Sequence, residues 1–213
     1  MSRELVKARM PAQAHFVADL AFELGPQYGV DPVLMLAISY HESEWGSALT
    51  PPGPGGTGDF IPRKVTPALK AALDQDPTFQ VEYYKKNSVS MVKPTNRGWG
   101  HGLYQIDFKS HIPFIATGKW ADPREAMAYS MQNVVAYGRD QVKRAFPNMS
   151  AGDLLYATIA TYNAGPTNVL KALKSGRPVR MLDQKAPKPV TFSPNYVVNI
   201  LRTSAKLSAP GVV

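Results

Sequence analysis

The chain contains no cysteine. That excludes a disulfide framework, a thiolate zinc site and a cysteine nucleophile. If the protein works outside a cell, it does so without covalent staples. No apolar run approaches the ~18 residues of a membrane span, so no membrane insertion is expected. The opening MSRELVKARMPAQAHF also lacks the uninterrupted apolar stretch of a secretory signal. Acid is scarce: 16 Asp+Glu stand against 24 Lys+Arg, a net charge of +8. A basic surface attracts nucleic acid, membrane headgroups or an anionic wall polymer, and composition alone does not choose among them. The histidines, at 15, 41, 101 and 111, have no metal-ligand spacing, and HESEW at 41–45 lacks the second histidine of H-E-x-x-H. There is no G-x-S-x-G, no P-loop and no G-x-G-x-x-G.

What is present is a 213-residue chain, 44% hydrophobic, with enough apolar mass for a sizeable core. Phe16, Val17, Leu20 and Leu24 recur at helical spacing and predict a helix from about Ala12 to Leu24, ended by Gly25-Pro26. Asp31-Pro32 reads as an N-cap and first-turn proline. The following Val33 to Ile38 is apolar all round, as in a helix buried at the centre of a domain. PPGPGGTGDFIP (51–62) is a loop. Thr66 to Leu73 suggests a short helix and Ser88 to Val92 a short strand. Asp122-Pro123-Arg124-Glu125 opens a long helix to about Phe146, and Ser150 to Asp153 opens another through about Tyr162. Ser193-Pro194 opens the last, through about Lys206, and Lys174 to Pro189 reads as a surface loop. With no internal repeat and no linker, the expectation is one mainly α domain over residues 1–213, with long loops.

Glu42 is the first candidate for chemistry. Leu34, Ile38 and Glu42 are spaced i, i+4, i+8 and share a helical face. If that helix is central, the carboxylate is partly desolvated, its pKa rises, and it suits a general acid. The plainer reading is a carboxylate reaching solvent at a helix end. Asp107 closes the glycine-dense GWGHGLYQID run (98–107), either as a functional carboxylate or as an N-cap after a turn. His101 in the same run could donate to a sugar or simply be an exposed loop histidine. Gly165 after Tyr162-Asn163-Ala164 reads as a helix cap, alone or beside a binding role. Trp45, Trp99 and Trp120 are either sugar-stacking rings or core and rim aromatics. From Lys171 to Lys206 eight basic residues (Lys171, Lys174, Arg177, Arg180, Lys185, Lys188, Arg202, Lys206) accompany one acid, Asp183. Only Phe192 and Tyr196 supply aromatics there, so specific nucleic-acid readout is not expected.

Three ordered segments resemble the goose-type lysozymes and the related soluble lytic transglycosylases: ISYHESEWG (38–46), RGWGHGLYQIDFKSH (97–111) and ATYNAGPTNV (160–169). Tyr196 within SPNYVVNI resembles the tyrosine on that family's last helix. The resemblance covers roughly residues 12–207. It implies a lysozyme-like, α-rich fold with a small β element and no cofactor. The implied activity is cleavage of the β-1,4 bond between N-acetylmuramic acid and N-acetylglucosamine in peptidoglycan glycan strands. Carried over, Glu42 resembles the general acid and Ser43 a residue that positions it or the substrate. Gln105, Tyr162 and Asn163 would contact N-acetyl sugars, with Tyr196 beside the glutamate.

Asp107 matches one family aspartate and is the expected base of an inverting hydrolase. A second family aspartate falls at Asn96, which cannot accept the water's proton, so Asp59 in GGTGDF is the other candidate. The alternative is a lytic transglycosylase, where the sugar's own C6 hydroxyl attacks and no base is used. The QID aspartate and the following K-S-H favour the hydrolase. Residues 49–96 form an inserted loop region, expected to build one wall of the cleft. A monomer is expected. So is a phage origin, as an endolysin released by a holin or as a virion-associated enzyme. The rivals are a wall-binding module that lost its chemistry and a basic nucleic-acid-binding domain.

Overall fold

Capping side chains set half of the helix starts among the described residues. In the computed structural model, which describes residues 1–184 and 189–209, Ser2 accepts from Leu5 N at the head of α1 (Arg3–Lys7). A short 3₁₀ turn, Ala12–Ala14, leads into α2 (His15–Tyr28). This helix does not stop at Gly25-Pro26. Pro26 is accommodated in its last turns, and Gly29, in the left-handed conformation at φ 60°, ends it. Asp31 Oδ1 then accepts from Val33 N at 2.8 Å and starts α3 (Pro32–Ser43). Val33 to Ser39 are all buried, as an all-round apolar helix requires.

Beyond α3 the chain forms short strands and one short helix: β1 (Thr57–Gly58), β2 (Arg63–Lys64), α4 (Pro67–Gln75), β3 (Val81–Lys86), β4 (Val89–Pro94), β5 (Gly100–His101) and β6 (Ile106–Asp107). Thr66 Oγ1 caps α4 through Leu69 N at 3.1 Å. After α5 (Ile112–Ile115), Asp122 Oδ1 accepts from Arg124 N and Glu125 N and opens α6 (Pro123–Ser130). The expected long helix is continuous to Ala145 but contains a π-helical stretch, Met131–Ala136, before α7 (Tyr137–Ala145). Ser150 Oγ accepts from Asp153 N at the head of α8 (Ala151–Ala164), which Gly165 closes. Pro166 starts α9 (Pro166–Lys174), which the sequence pattern does not reveal, and α10 (Tyr196–Ser208) is the last helix. The protein is therefore mainly helical with small antiparallel sheets. No helix among the described residues is long and apolar enough to cross a membrane.

The chain groups into two compact units: Met1–His41 with Ala128–Val213, and Glu42–Met127. The boundary falls inside α3, between His41 and Glu42. The first unit is helical, with α8 at its heart: Tyr156 to Thr161 are buried without a break. The second unit holds both sheets, ordered β1-β5-β6 and β2-β4-β3. The 49–96 region carries β1 to β4 and α4. Its β3–β4 hairpin turns at Asn87 and Ser88, both at positive φ, as a two-residue hairpin turn requires.

Candidate functional site

Glu42 and Ser43 occupy the last turn of α3. Glu42 is half-buried, and Ser43 is buried. The Ser43 hydroxyl donates to Leu103 O at 2.8 Å and accepts from Gly46 N at 3.0 Å. Its oxygen therefore stops the helix and ties that end to the turn between β5 and β6. Trp45 follows at φ 55°, so the chain reverses sharply beyond Glu42.

The glycine-dense run forms a two-residue-strand hairpin, Gly100 opposite Asp107 and His101 opposite Ile106. On its other edge β5 pairs with β1, with Gly58 opposite Gly100. The Gln105 carboxamide lies over that glycine pair: a Cβ at either position would sit 2.3 Å from Oε1. Gln105 Nε2 donates to Gly102 O at 3.1 Å, and the residue is half-buried at φ 47°. Those two glycines exist to admit one side chain.

Asp107 and Asp59, the two candidate bases, are bound by the same guanidinium. Arg63 Nη1 donates to Asp107 Oδ1 and Nη2 to Asp59 Oδ2, each at 2.7 Å. Asp107 Oδ2 accepts from Ser110 N at 3.0 Å and Ser110 Oγ at 2.9 Å. Burial pushes the Asp107 carboxyl up, but the Arg63 charge and these hydrogen bonds outweigh it and hold it below the ordinary range. The Arg63 guanidinium also lies over the Trp99 ring, 4.9 Å from its centroid. Burial alone would lower its pKa; the two carboxylates raise it.

Beneath this corner is a stack of rings. Trp99 stacks on Phe79 at 5.1 Å, Phe79 meets Phe108 at 4.2 Å, and His101 meets Trp120 edge-on at 4.6 Å. His101 is fully buried, not in an exposed loop, and offers no ring to a sugar. Burial lowers its pKa to about 4, so the imidazole is neutral, with Nδ1 in contact with Trp99 O at 3.2 Å. Trp99 and Trp120 are core aromatics, while Trp45 is half-buried. Asn96 lies apart from this corner. Its Oδ1 accepts from Gln80 N and its Nδ2 donates to Thr78 O at 2.8 Å. An aspartate there would set an acceptor against the Thr78 carbonyl, which explains the amide.

The remaining candidates belong to the helical unit. Tyr162 and Asn163 lie in the last turn of α8, both half-buried. Asn163 Oδ1 accepts from Phe192 N at 2.6 Å and Ser193 N at 3.4 Å, and so pins the segment that leads into α10. Tyr196, the first residue of α10, is buried. Asp183, read in the sequence as the lone acid of a basic stretch, is a buried cap. It accepts from the Tyr156 hydroxyl and, at 3.2 Å, from Val198 N in the first turn of α10. Burial and Asp183 together push the Tyr156 hydroxyl well above its usual range. Lys185 and Lys188 of that basic stretch lie outside the described residues.

Arg63 carries no sequence signal, and nothing in the sequence marks Asp183 as a buried cap. Arg63 stands in a loop-like run, and its partners lie 4 and 44 residues away. Among the described residues no group of three His, Asp or Glu side chains converges as a metal site would need. No protein-family model matches the sequence, and no curated protein matches it.

Proposed function

We propose that the protein is a peptidoglycan-cleaving glycosidase with a lysozyme-like fold, cutting the β-1,4 bond after N-acetylmuramic acid with Glu42 as general acid. The observation that carries this is the Ser43–Leu103 hydrogen bond, which joins the helix end bearing Glu42 to the GLYQID hairpin across 60 residues. Two of the segments that resemble the goose-type family thereby form one local arrangement. In the helical unit, Asn163 links the YNAG segment to the stretch before Tyr196. Its Oδ1 is occupied, and among the described residues nothing accepts from Nδ2, which suits it to donate to an N-acetyl carbonyl.

Cleavage begins with the Glu42 proton passing to the glycosidic oxygen as the C1–O4 bond breaks. In the hydrolase form, water adds at C1 and a carboxylate takes its proton. In the transglycosylase form, the C6 hydroxyl of the same sugar adds at C1, its proton returns to the Glu42 carboxylate, and no water is consumed. The sequence favours the hydrolase. The Arg63 clamp favours the transglycosylase: both candidate bases are tied to one guanidinium, and Asp107, with its pKa depressed, is a poor base.

The test is mass spectrometry of purified peptidoglycan after digestion. Fragments ending in 1,6-anhydromuramic acid support the second form, and fragments one water heavier with a reducing muramic acid end support the first. Fragments ending in reducing N-acetylglucosamine, or no fragments, overturn the proposal. A phage lysis or wall-piercing setting fits the same chemistry.

A further inference from the structure

The β2-β4-β3 sheet sorts its residues by face. Directly opposed residues share a face, so Arg63, Val92 and Tyr83 form one row and Lys64, Met91 and Tyr84 the next, pointing the other way. Val92 is fully buried, and Arg63 on its face reaches Asp107 and Asp59. The opposite face is turned to solvent. It carries Lys64, Lys86 and Lys93, all exposed, around a half-buried strip of Tyr84 and Met91. Glu82 is the one acid on this face, and Lys85 lies on the other face with Tyr83. None of these three lysines makes an ion pair among the described residues, whereas Arg63 and Arg97 in the same unit are both paired.

We propose that this lysine face is a docking surface for a phosphodiester-linked wall glycopolymer, and that it recruits the enzyme to its substrate. This rests on the reading that the cell-wall glycan is the substrate. The chemistry fits a flexible chain of phosphates. Lysines are mobile point charges that need no planar, forked partner, and the face has no arginine. Rows two residues apart along a strand lie ~7 Å apart, so the lysines span several anionic groups rather than one. A single-stranded nucleic acid would call for exposed aromatics among the cations. Here Tyr83, the exposed ring at 56%, lies on the other face, and Tyr84 among the lysines is half-buried.

The experiment compares the protein with the variant Lys64→Gln, Lys86→Gln, Lys93→Gln. Retention is measured on intact Gram-positive-type walls, on the same walls stripped of phosphodiester polymer by mild acid, and on single-stranded DNA, over a salt series. The expected result is at least a tenfold loss of retention on intact walls. The salt slope should fall by about 2, at ~0.7 for each phosphate that a lysine no longer neutralises. Wild type and variant should coincide on stripped walls. Glu82→Lys, a second exposed change, should strengthen retention on intact walls only. Equal retention of wild type and triple variant on intact walls overturns the proposal. So does wild-type retention on stripped walls equal to that on intact ones. DNA retention exceeding that on intact walls at matched phosphate concentration assigns the face to nucleic acid instead. Cleavage of soluble, phosphate-free glycan strands should be unchanged in the variant. Absence of that cleavage in the wild type would overturn the glycosidase reading and leave the binding result standing.

Discussion

The end of α3 and the corner built from residues 57–63 and 98–107 hold their carboxylates in different ways. Glu42 is carried by a helix whose preceding turns are buried, and its neighbour Ser43 is fixed by neutral hydrogen bonds. Asp59 and Asp107 stand on strands of two residues and a glycine-rich loop, which have little regular structure of their own to hold a side chain. There the positioning is ionic, through Arg63, above a stack of rings. On the proposed reading, the contrast separates a carboxylate placed for chemistry from carboxylates used as struts. The corner, held by charge pairs, answers directly to pH and charge changes.

The largest expected effect is at the helix end. Glu42→Gln keeps the side chain's shape and removes the donated proton. General acid catalysis contributes ~10²–10⁴-fold, so glycan cleavage should fall by that factor with an unchanged melting temperature. Release of reducing or anhydro ends from purified peptidoglycan checks it. A variant that keeps more than about a tenth of wild-type activity takes Glu42 out of the mechanism.

These two regions also differ in how far the sequence reveals them. The apolar run Val33–Ile38, the Asp31-Pro32 cap and the i, i+4, i+8 spacing locate Glu42 at the end of a buried helix, because helical period is a local property. The caps at Asp122 and Ser150 are legible for the same reason. The corner is not legible, because it is made by pairing at a distance: Gly58 with Gly100, and Arg63 with Asp107. His101 illustrates the cost. In a run of glycines it reads as exposed, yet strand pairing and Trp120 bury it. Gly25-Pro26 fails in the opposite sense. Local rules end the helix there, but α2 runs on to Tyr28, and a Cβ at Gly25 would lie 2.7 Å from Val30 O, a closeness only glycine allows.

The next effect concerns the ring stack. His101 is neutral in the fold down to a pKa of about 4, while in the unfolded chain it takes a proton near 6.5. Between those values the unfolded state binds more protons, so stability rises with pH and is lost as pH falls from about 6.5 toward 4. The 6.5-to-4 interval corresponds to ~3 kcal/mol at most. His101→Phe keeps a ring against Phe108 and Trp120 and removes the titration. Its stability should depend less on pH across that window. His41 and His111, also lowered by burial, retain part of the slope. Denaturant unfolding at pH 7 and pH 4.5 checks this, and an identical pH slope in variant and wild type would count against a buried neutral His101.

The smallest effect is the most informative about the corner. Arg63 and its two partners are each about a third exposed, so removing the cation should cost only about 1 kcal/mol, or ~2–4 °C in melting temperature. Asp107 has a depressed pKa, so its contribution is complete above the ordinary carboxylate range and disappears as pH falls through the folded value. In Arg63→Met that acid-side loss should shrink. If the aspartates are struts, Asp107→Asn and Arg63→Met should each reduce cleavage less than about tenfold. The double variant should then be little worse than either single one, because both remove the same tie. If Asp107 were the base, Asp107→Asn alone would cost ~10²–10⁴-fold. Arg63→Met would then preserve or raise activity, since freeing the carboxylate from its cation restores its basicity. Initial rates for the three variants on one peptidoglycan preparation, read beside the product masses, decide whether the carboxylates of this corner hold a loop or hold a water.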